Sequence, residues 1–128
     1  MGYPVHSLPF VGGLFLLITL LAIHVTRRRV VAGVVLGDGG DKRLGRAIRA
    51  HGNSVEHGLL LAVALVLAEV AGLKAAWVVG LGWASLAARL AHAAGFLRLG
   101  GKLSQLGMVV TYAVELGLST YLVSGAVH

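Results

Sequence analysis

Phe10-Val11-Gly12-Gly13-Leu14-Phe15-Leu16-Leu17-Ile18-Thr19-Leu20-Leu21-Ala22-Ile23 carries no ionisable side chain, and Arg27-Arg28-Arg29 follows it. A helix needs about 20 mostly apolar residues to cross a hydrocarbon core of roughly 30 Å. Read from Val5 to Thr26, this stretch supplies them. It has no basic segment in front and no small-residue cleavage pattern behind, so it is expected to be a retained span rather than a secretory leader.

Working outward, three more segments meet the same requirement. The second begins near Leu44 in a basic amphipathic turn and becomes wholly apolar through Leu59–Leu67, ending around Gly72. The third runs from about Ala75 to Ala94 and the fourth from about Leu103 to Val123. Between the first two, Val30 to Asp41 is the one substantial loop, with Gly37-Asp38-Gly39-Gly40-Asp41 as its turn signal. Short connections elsewhere imply antiparallel neighbours. The expected architecture is all-α, an integral membrane four-helix bundle with four transmembrane helices, forming a single domain over residues 1–128.

Composition agrees. Of 128 residues, 57% are hydrophobic and 12% charged, where about 25% charged is usual, and mean hydropathy is +0.85. A chain this short cannot hide so much apolar surface, which excludes a soluble monomer. The absence of cysteine excludes disulfides, thiolate zinc sites, iron–sulfur clusters and a cysteine nucleophile. No metal site is expected.

Eleven Lys and Arg against five Asp and Glu give a formal charge of +6. Nine of the eleven, from Arg27 to Arg49 and at Arg98 and Lys102, fall on one side of the four spans. By the positive-inside rule that side is cytoplasmic and both termini lie outside. The excess charge is thereby assigned to a membrane face, and nucleic acid is not an expected partner.

Ionisable residues within spans cost about 2.5–3.5 kcal/mol each on insertion scales and call for a reason. On the second span Arg46, Arg49, Asn53, Glu56 and His57 fall within an arc of about 100° at helical periodicity. On the third, Ser85, Arg89, His92 and Phe96 share a face, with Arg89 and His92 at the depth of Glu56 and His57. The two stripes are expected to face each other, Glu56 opposite Arg89, either as a structural interhelical pair or as a binding site. On the fourth, Met108, Thr111, Tyr112, Glu115 and Ser119 share a face. Arg46 is near enough to the interface to snorkel, and Glu69 reads as a solvated end charge. Guanidinium groups, a carboxylate and an amide suit a small zwitterionic or anionic molecule, while an apolar second substrate can arrive through the lipid.

The run Arg46-Ala47-Ile48-Arg49-Ala50-His51-Gly52-Asn53-Ser54-Val55-Glu56-His57 resembles the second-helix signature of the MAPEG superfamily, membrane-associated proteins in eicosanoid and glutathione metabolism. Arg89-Leu90-Ala91-His92 is similar to the family's third-helix pattern, and Leu106-Gly107-Met108-Val109-Val110-Thr111 to the last helix of its bacterial members. The resemblance implies a bacterial inner-membrane homotrimer with glutathione as cosubstrate, held between helices near the cytoplasmic face. It further implies transferase or peroxidase activity toward lipophilic electrophiles. Arg49, Asn53 and Glu56 would hold the tripeptide, with Arg89 and His92 completing the cradle; no catalytic residue is singled out. The chain departs from the pattern at Gly52, where relatives place a second arginine, and at Phe96, where several have tyrosine. It departs again at the start of the fourth span, where Lys102 or Ser104 stands in for an arginine. These departures fit an alternative, a binding or structural membrane protein on the same scaffold without turnover. A third reading is a b-type haem carrier ligated by His57 and His92.

Overall fold

The computed structural model describes residues 3–125, Leu99 by its backbone alone. Residues 1, 2 and 126–128 of the expected single domain lie outside the described residues. Helix α1 spans Leu8–Ala32, α2 Lys42–Val70, α3 Ala75–Ala94 and α4 Gly101–Gly125; α3 leads into α4 through a π-helical turn, Gly95–Leu99. The fold is the all-α membrane four-helix bundle that the composition demands. α1, α2 and α4 are each long and apolar enough to cross a bilayer. α3 falls short of that standard, and its composition contains the reason: Arg89 and His92 lie among its 20 residues, and both are turned into the bundle and buried.

α2 and α3 occupy the middle of the bundle. α1 packs on both, α4 packs on both, and α1 and α4 do not touch among the described residues. Phe10 and Leu14 of α1, Leu61 and Leu65 of α2, Val78 of α3, and Val114 and Leu118 of α4 form the main core. The buried face of α2 repeats as Ala47, Ala50, Ser54, Gly58, Leu61, Leu65 and Ala68, a stripe of small and branched residues that lets backbones approach. α4 approaches α3 closely at Gly107, where a Cβ would stand 2.5 Å from the Ala88 carbonyl oxygen and 2.7 Å from the His92 nitrogen. Phe15, Leu16, Leu20, Leu60, Val63, Trp83, Val109 and Leu116 point outward. In water that surface would drive aggregation; in lipid it is solvated.

Helix ends depart from the sequence reading in two places. α1 does not stop at Arg27-Arg28-Arg29 but continues to Ala32, because arginine is a good helix former and the charge matters only to membrane depth. The stop is Gly33, in the left-handed region at φ 66°, with Val34 N–H donating to Arg29 O at 3.1 Å. Arg29 Nη1 then donates to the carbonyls of Val35 and Gly37, at 3.2 and 2.8 Å, and ties the loop to the helix end. The second departure is Glu69, which is no free end charge. From the last turn of α2 its carboxylate accepts from the backbone N–H of His6 at 2.9 Å and of Ser7 at 2.8 Å. A side chain from another helix thus caps the positive end of α1, whose own Ser7 makes no capping bond. α2 is capped locally: Asp41 accepts from Arg43 N–H at 2.8 Å and Leu44 N–H at 3.2 Å.

Candidate functional site

On α2 the polar residues beside the buried stripe divide into two groups. Asn53 and His57 are half-buried and reach α3 and α4, whereas Arg46, Arg49 and Glu56 are exposed on the single chain. Three residues along a helix is a rotation of about 60° short of a full turn, enough to send Asn53 inward and Glu56 outward.

Asn53 accordingly takes the place expected of Glu56. Arg89 is fully buried; its Nη2 donates to Asn53 Oδ1 at 2.5 Å, and its Nη1 lies 3.4 Å from Thr111 Oγ1 and 3.3 Å from Met108 Sδ. Its Nε has no partner, and no carboxylate lies within 4 Å of the guanidinium among the described residues. The expected pairing of Glu56 with Arg89 is therefore not formed. The two predicted stripes meet through an amide, joined by the α4 face that carries Met108 and Thr111.

His92, one turn further on, is also buried. Its Nδ1–H donates to the Ser104 carbonyl at 3.0 Å, with Ser104 Oγ 2.8 Å away, while Nε2 is buried and unpartnered. The carbonyl contact sets the tautomer, leaving Nε2 as an acceptor in the neutral ring. Phe96 packs beside this imidazole, centroid to centroid at 5.4 Å. Ser104, which the sequence placed only at the start of the fourth helix, thus orients His92.

The pairing that sequence reasoning missed is His57 with Glu115. Nδ1 of His57 on α2 donates to Glu115 Oε1 on α4 at 2.8 Å, and the Tyr112 ring stands edge-on to the imidazole at 5.5 Å. Both residues were visible as polar positions on apolar helices; only their common depth could have suggested the pair. Of the predicted site, then, Asn53, Arg89 and His92 sit in one buried polar layer shared by α2, α3 and α4. Arg49 and Glu56 lie on the outer face of α2 and make no side-chain hydrogen bond or ion pair among the described residues. Gly52 lies on the same helix, and a Cβ there would meet nothing within 4 Å. Chemically the arrangement offers a cation and a carboxylate on an outward face, backed by a buried guanidinium and an imidazole acceptor.

Comparison with known proteins gives one family and one kind of relative. The profile of the MAPEG family matches residues 8–124. The inner membrane protein YecN of Escherichia coli K12 is 39% identical over 82 residues, covering 63% of this chain and 62% of that protein. YecN of Escherichia coli O6:H1 matches with the same figures. The chain thus aligns with less than two thirds of these relatives' length. No solved structure matches.

Proposed function

The chain belongs to the MAPEG family, and from that premise we propose that it is an inner-membrane, glutathione-dependent transferase or peroxidase acting on lipophilic electrophiles. The observation that carries the proposal is the outward pair Arg49 and Glu56. An exposed guanidinium and carboxylate on the face of a membrane helix are costly against lipid and need a protein or a polar ligand beside them. A second copy of the chain supplies the protein, in a homotrimer whose subunit seam runs along this face.

Size and charge favour glutathione in that seam. Seven residues of helix separate Arg49 from Glu56 by about 10 Å, which is the reach of an extended tripeptide. Arg49 pairs with a carboxylate of the ligand and Glu56 with its ammonium. Asn53, between them, extends the site toward Arg89 and His92. A nearby cation lowers the thiol pKa so that the thiol proton passes to water, and the thiolate sulfur then bonds to the electrophilic atom of a substrate delivered from the bilayer while that atom's bond to its leaving group breaks and the group departs with the electron pair. The YecN relatives are inner membrane proteins, which supports the same location here, with the arginine-rich end cytoplasmic and both termini outside.

One observation favours the second reading, a binding protein without turnover. Arg89 is sealed from the outer face, its Nη atoms committed to Asn53, Thr111 and Met108. Glutathione titration with a detergent-corrected mass measurement tests ligand and assembly together. Saturable binding at millimolar glutathione on a trimer, lost in Arg49→Ala and in Glu56→Ala, is the expected result. No binding at tens of millimolar would sink the enzyme reading, and binding without conjugation of any lipophilic electrophile would select the second.

A further inference from the structure

Outside that site, the arginine-rich end of the bundle contains a cleft of about 830 Å³ between α1, α2 and the π-helical turn. His24 and Arg28 of α1, Arg43 and Arg46 of α2, and Arg98 with Leu97 of the turn line it. Four guanidinium groups from three elements converge there, and among the described residues Asp41 is the one acid in contact with any of them, 3.5 Å from Arg28 through Oδ2. Its other oxygen is committed to capping α2. Arg28 Nε is buried and has no partner. Like charges gathered this way repel, so the cleft is built for a multivalent anion, and guanidinium prefers the planar, bidentate pairing that phosphate offers.

The surroundings indicate where that anion comes from. Val30 and Val31, at the end of α1, are 78% exposed each, and Val35 and Leu36 in the loop after it are 92% and 91% exposed. Apolar side chains beside an arginine run sit at the boundary between headgroups and acyl chains, which sets the mouth of the cleft at headgroup depth. One wall, Ala94 and Leu97, is apolar and suits the glycerol end of a lipid.

We propose that this cleft is a binding site for an anionic glycerophospholipid, whose headgroup phosphate is held by Arg28, Arg43, Arg46 and Arg98. The site is separate from the glutathione seam and does not depend on it.

Native mass spectrometry of the full chain in detergent, titrated with phosphatidylglycerol, cardiolipin or phosphatidylcholine, tests the proposal. Both anionic lipids are expected to bind about tenfold tighter than phosphatidylcholine. Arg43→Gln/Arg98→Gln should erase the preference, at about threefold per arginine. Arg27→Gln/Lys42→Gln removes the same charge from the same end without touching the cleft, and should shift affinity less than about twofold. Arg43→Lys/Arg98→Lys, which keeps charge but loses the bidentate fork, should fall between; it replaces the glutamine variant if that one fails to fold. Equal losses in cleft and control variants would mean diffuse attraction and overturn the site. Displacement of the lipid by millimolar glycerol phosphate, inorganic phosphate or glutathione would assign the cleft to a soluble anion and overturn the lipid.

Discussion

Asn53 and Arg89 are joined across α2 and α3 by a hydrogen bond of 2.5 Å, and the guanidinium it holds has no carboxylate beside it. A buried cation with a neutral partner is sensitive to loss of that partner. Asn53→Ala is expected to cost about 1–3 kcal/mol in detergent unfolding, since a buried charged donor is left unpaired. Asn53→Asp supplies the missing anion and should be at least as stable as the parent. If the aspartate variant unfolds as readily as the alanine one, Arg89 is not held in the way described.

Glu69 ties the start of α1 to the end of α2 through two charge-assisted bonds, to His6 and Ser7 N–H. Glu69→Ala removes both and is expected to cost about 1.5–3 kcal/mol. Glu69→Gln keeps a neutral acceptor and should lose less. Amide exchange localises the effect: Ser7 and the first turn of α1 should exchange faster, while the arginine-rich end of the same helix does not change.

What the sequence disclosed and what it concealed divide by range. Four helices, their order and the polar positions on them follow from apolar runs and a 3.6-residue period, because a bilayer enforces both. The buried layer of Asn53, Arg89 and His92 was legible in outline for the same reason. The partners were not. Glu69 looked like a solvated end charge because its donors lie 63 and 62 residues away, and His57 and Glu115 are 58 apart. The continuation of α1 past Arg29 was concealed because a charge run reports where the membrane ends, and a helix does not have to end there. Arg46 read equally as a snorkelling side chain or as part of the polar stripe, and the cleft it lines was not legible because its other walls come from α1 and the turn after α3.

Asp41 adds a pH dependence at the start of α2. The N–H donors of Leu44 and Arg43, with further help from the Arg28 and Arg43 charges, hold its carboxyl below the ordinary 3.8. A lowered folded pKa means that the cap stabilises fully above the unfolded value and is lost as pH falls through the folded one. The Leu44 and Arg43 amides should therefore be protected at neutral pH and lose protection only below about pH 4. Asp41→Asn caps by its amide oxygen and should abolish this dependence while retaining the helix start. An unchanged acid profile in that variant would refute the assignment.

Gly107 sets how closely α4 approaches α3. A Cβ there would overlap the Ala88 carbonyl and the His92 backbone, neither of which is a flexible side-chain tip. Gly107→Ala is expected to cost about 1–3 kcal/mol by forcing the helices apart, and to loosen the contact of Ser104 with His92. Gly117→Ala, on the same helix, meets nothing within 4 Å in the single chain. Judged on that chain alone it should gain up to about 1 kcal/mol from helix propensity. A loss at Gly117 comparable to that at Gly107 would place this face of α4 against another copy.

Gly52 offers the sharpest test of the glutathione reading. It lies one residue before Asn53 on the helix that presents Arg49 and Glu56, and a Cβ there meets no atom within 4 Å, so the fold leaves room for a long side chain. An arginine at the position would be able to pair with a second carboxylate of the tripeptide. Gly52→Arg should leave unfolding in detergent unchanged or raise it by up to about 1 kcal/mol, as glycine is the poorer helix former. In glutathione titrations it should tighten binding about tenfold, corresponding to about 1.4 kcal/mol for one added charge-assisted pair. Combining it with Glu56→Ala separates a true site from general attraction: the added arginine should no longer rescue binding once the ammonium partner is gone. Tightening that survives in the double variant would mean that glutathione is drawn to positive charge alone, and the seam defined by Arg49 and Glu56 would lose its claim.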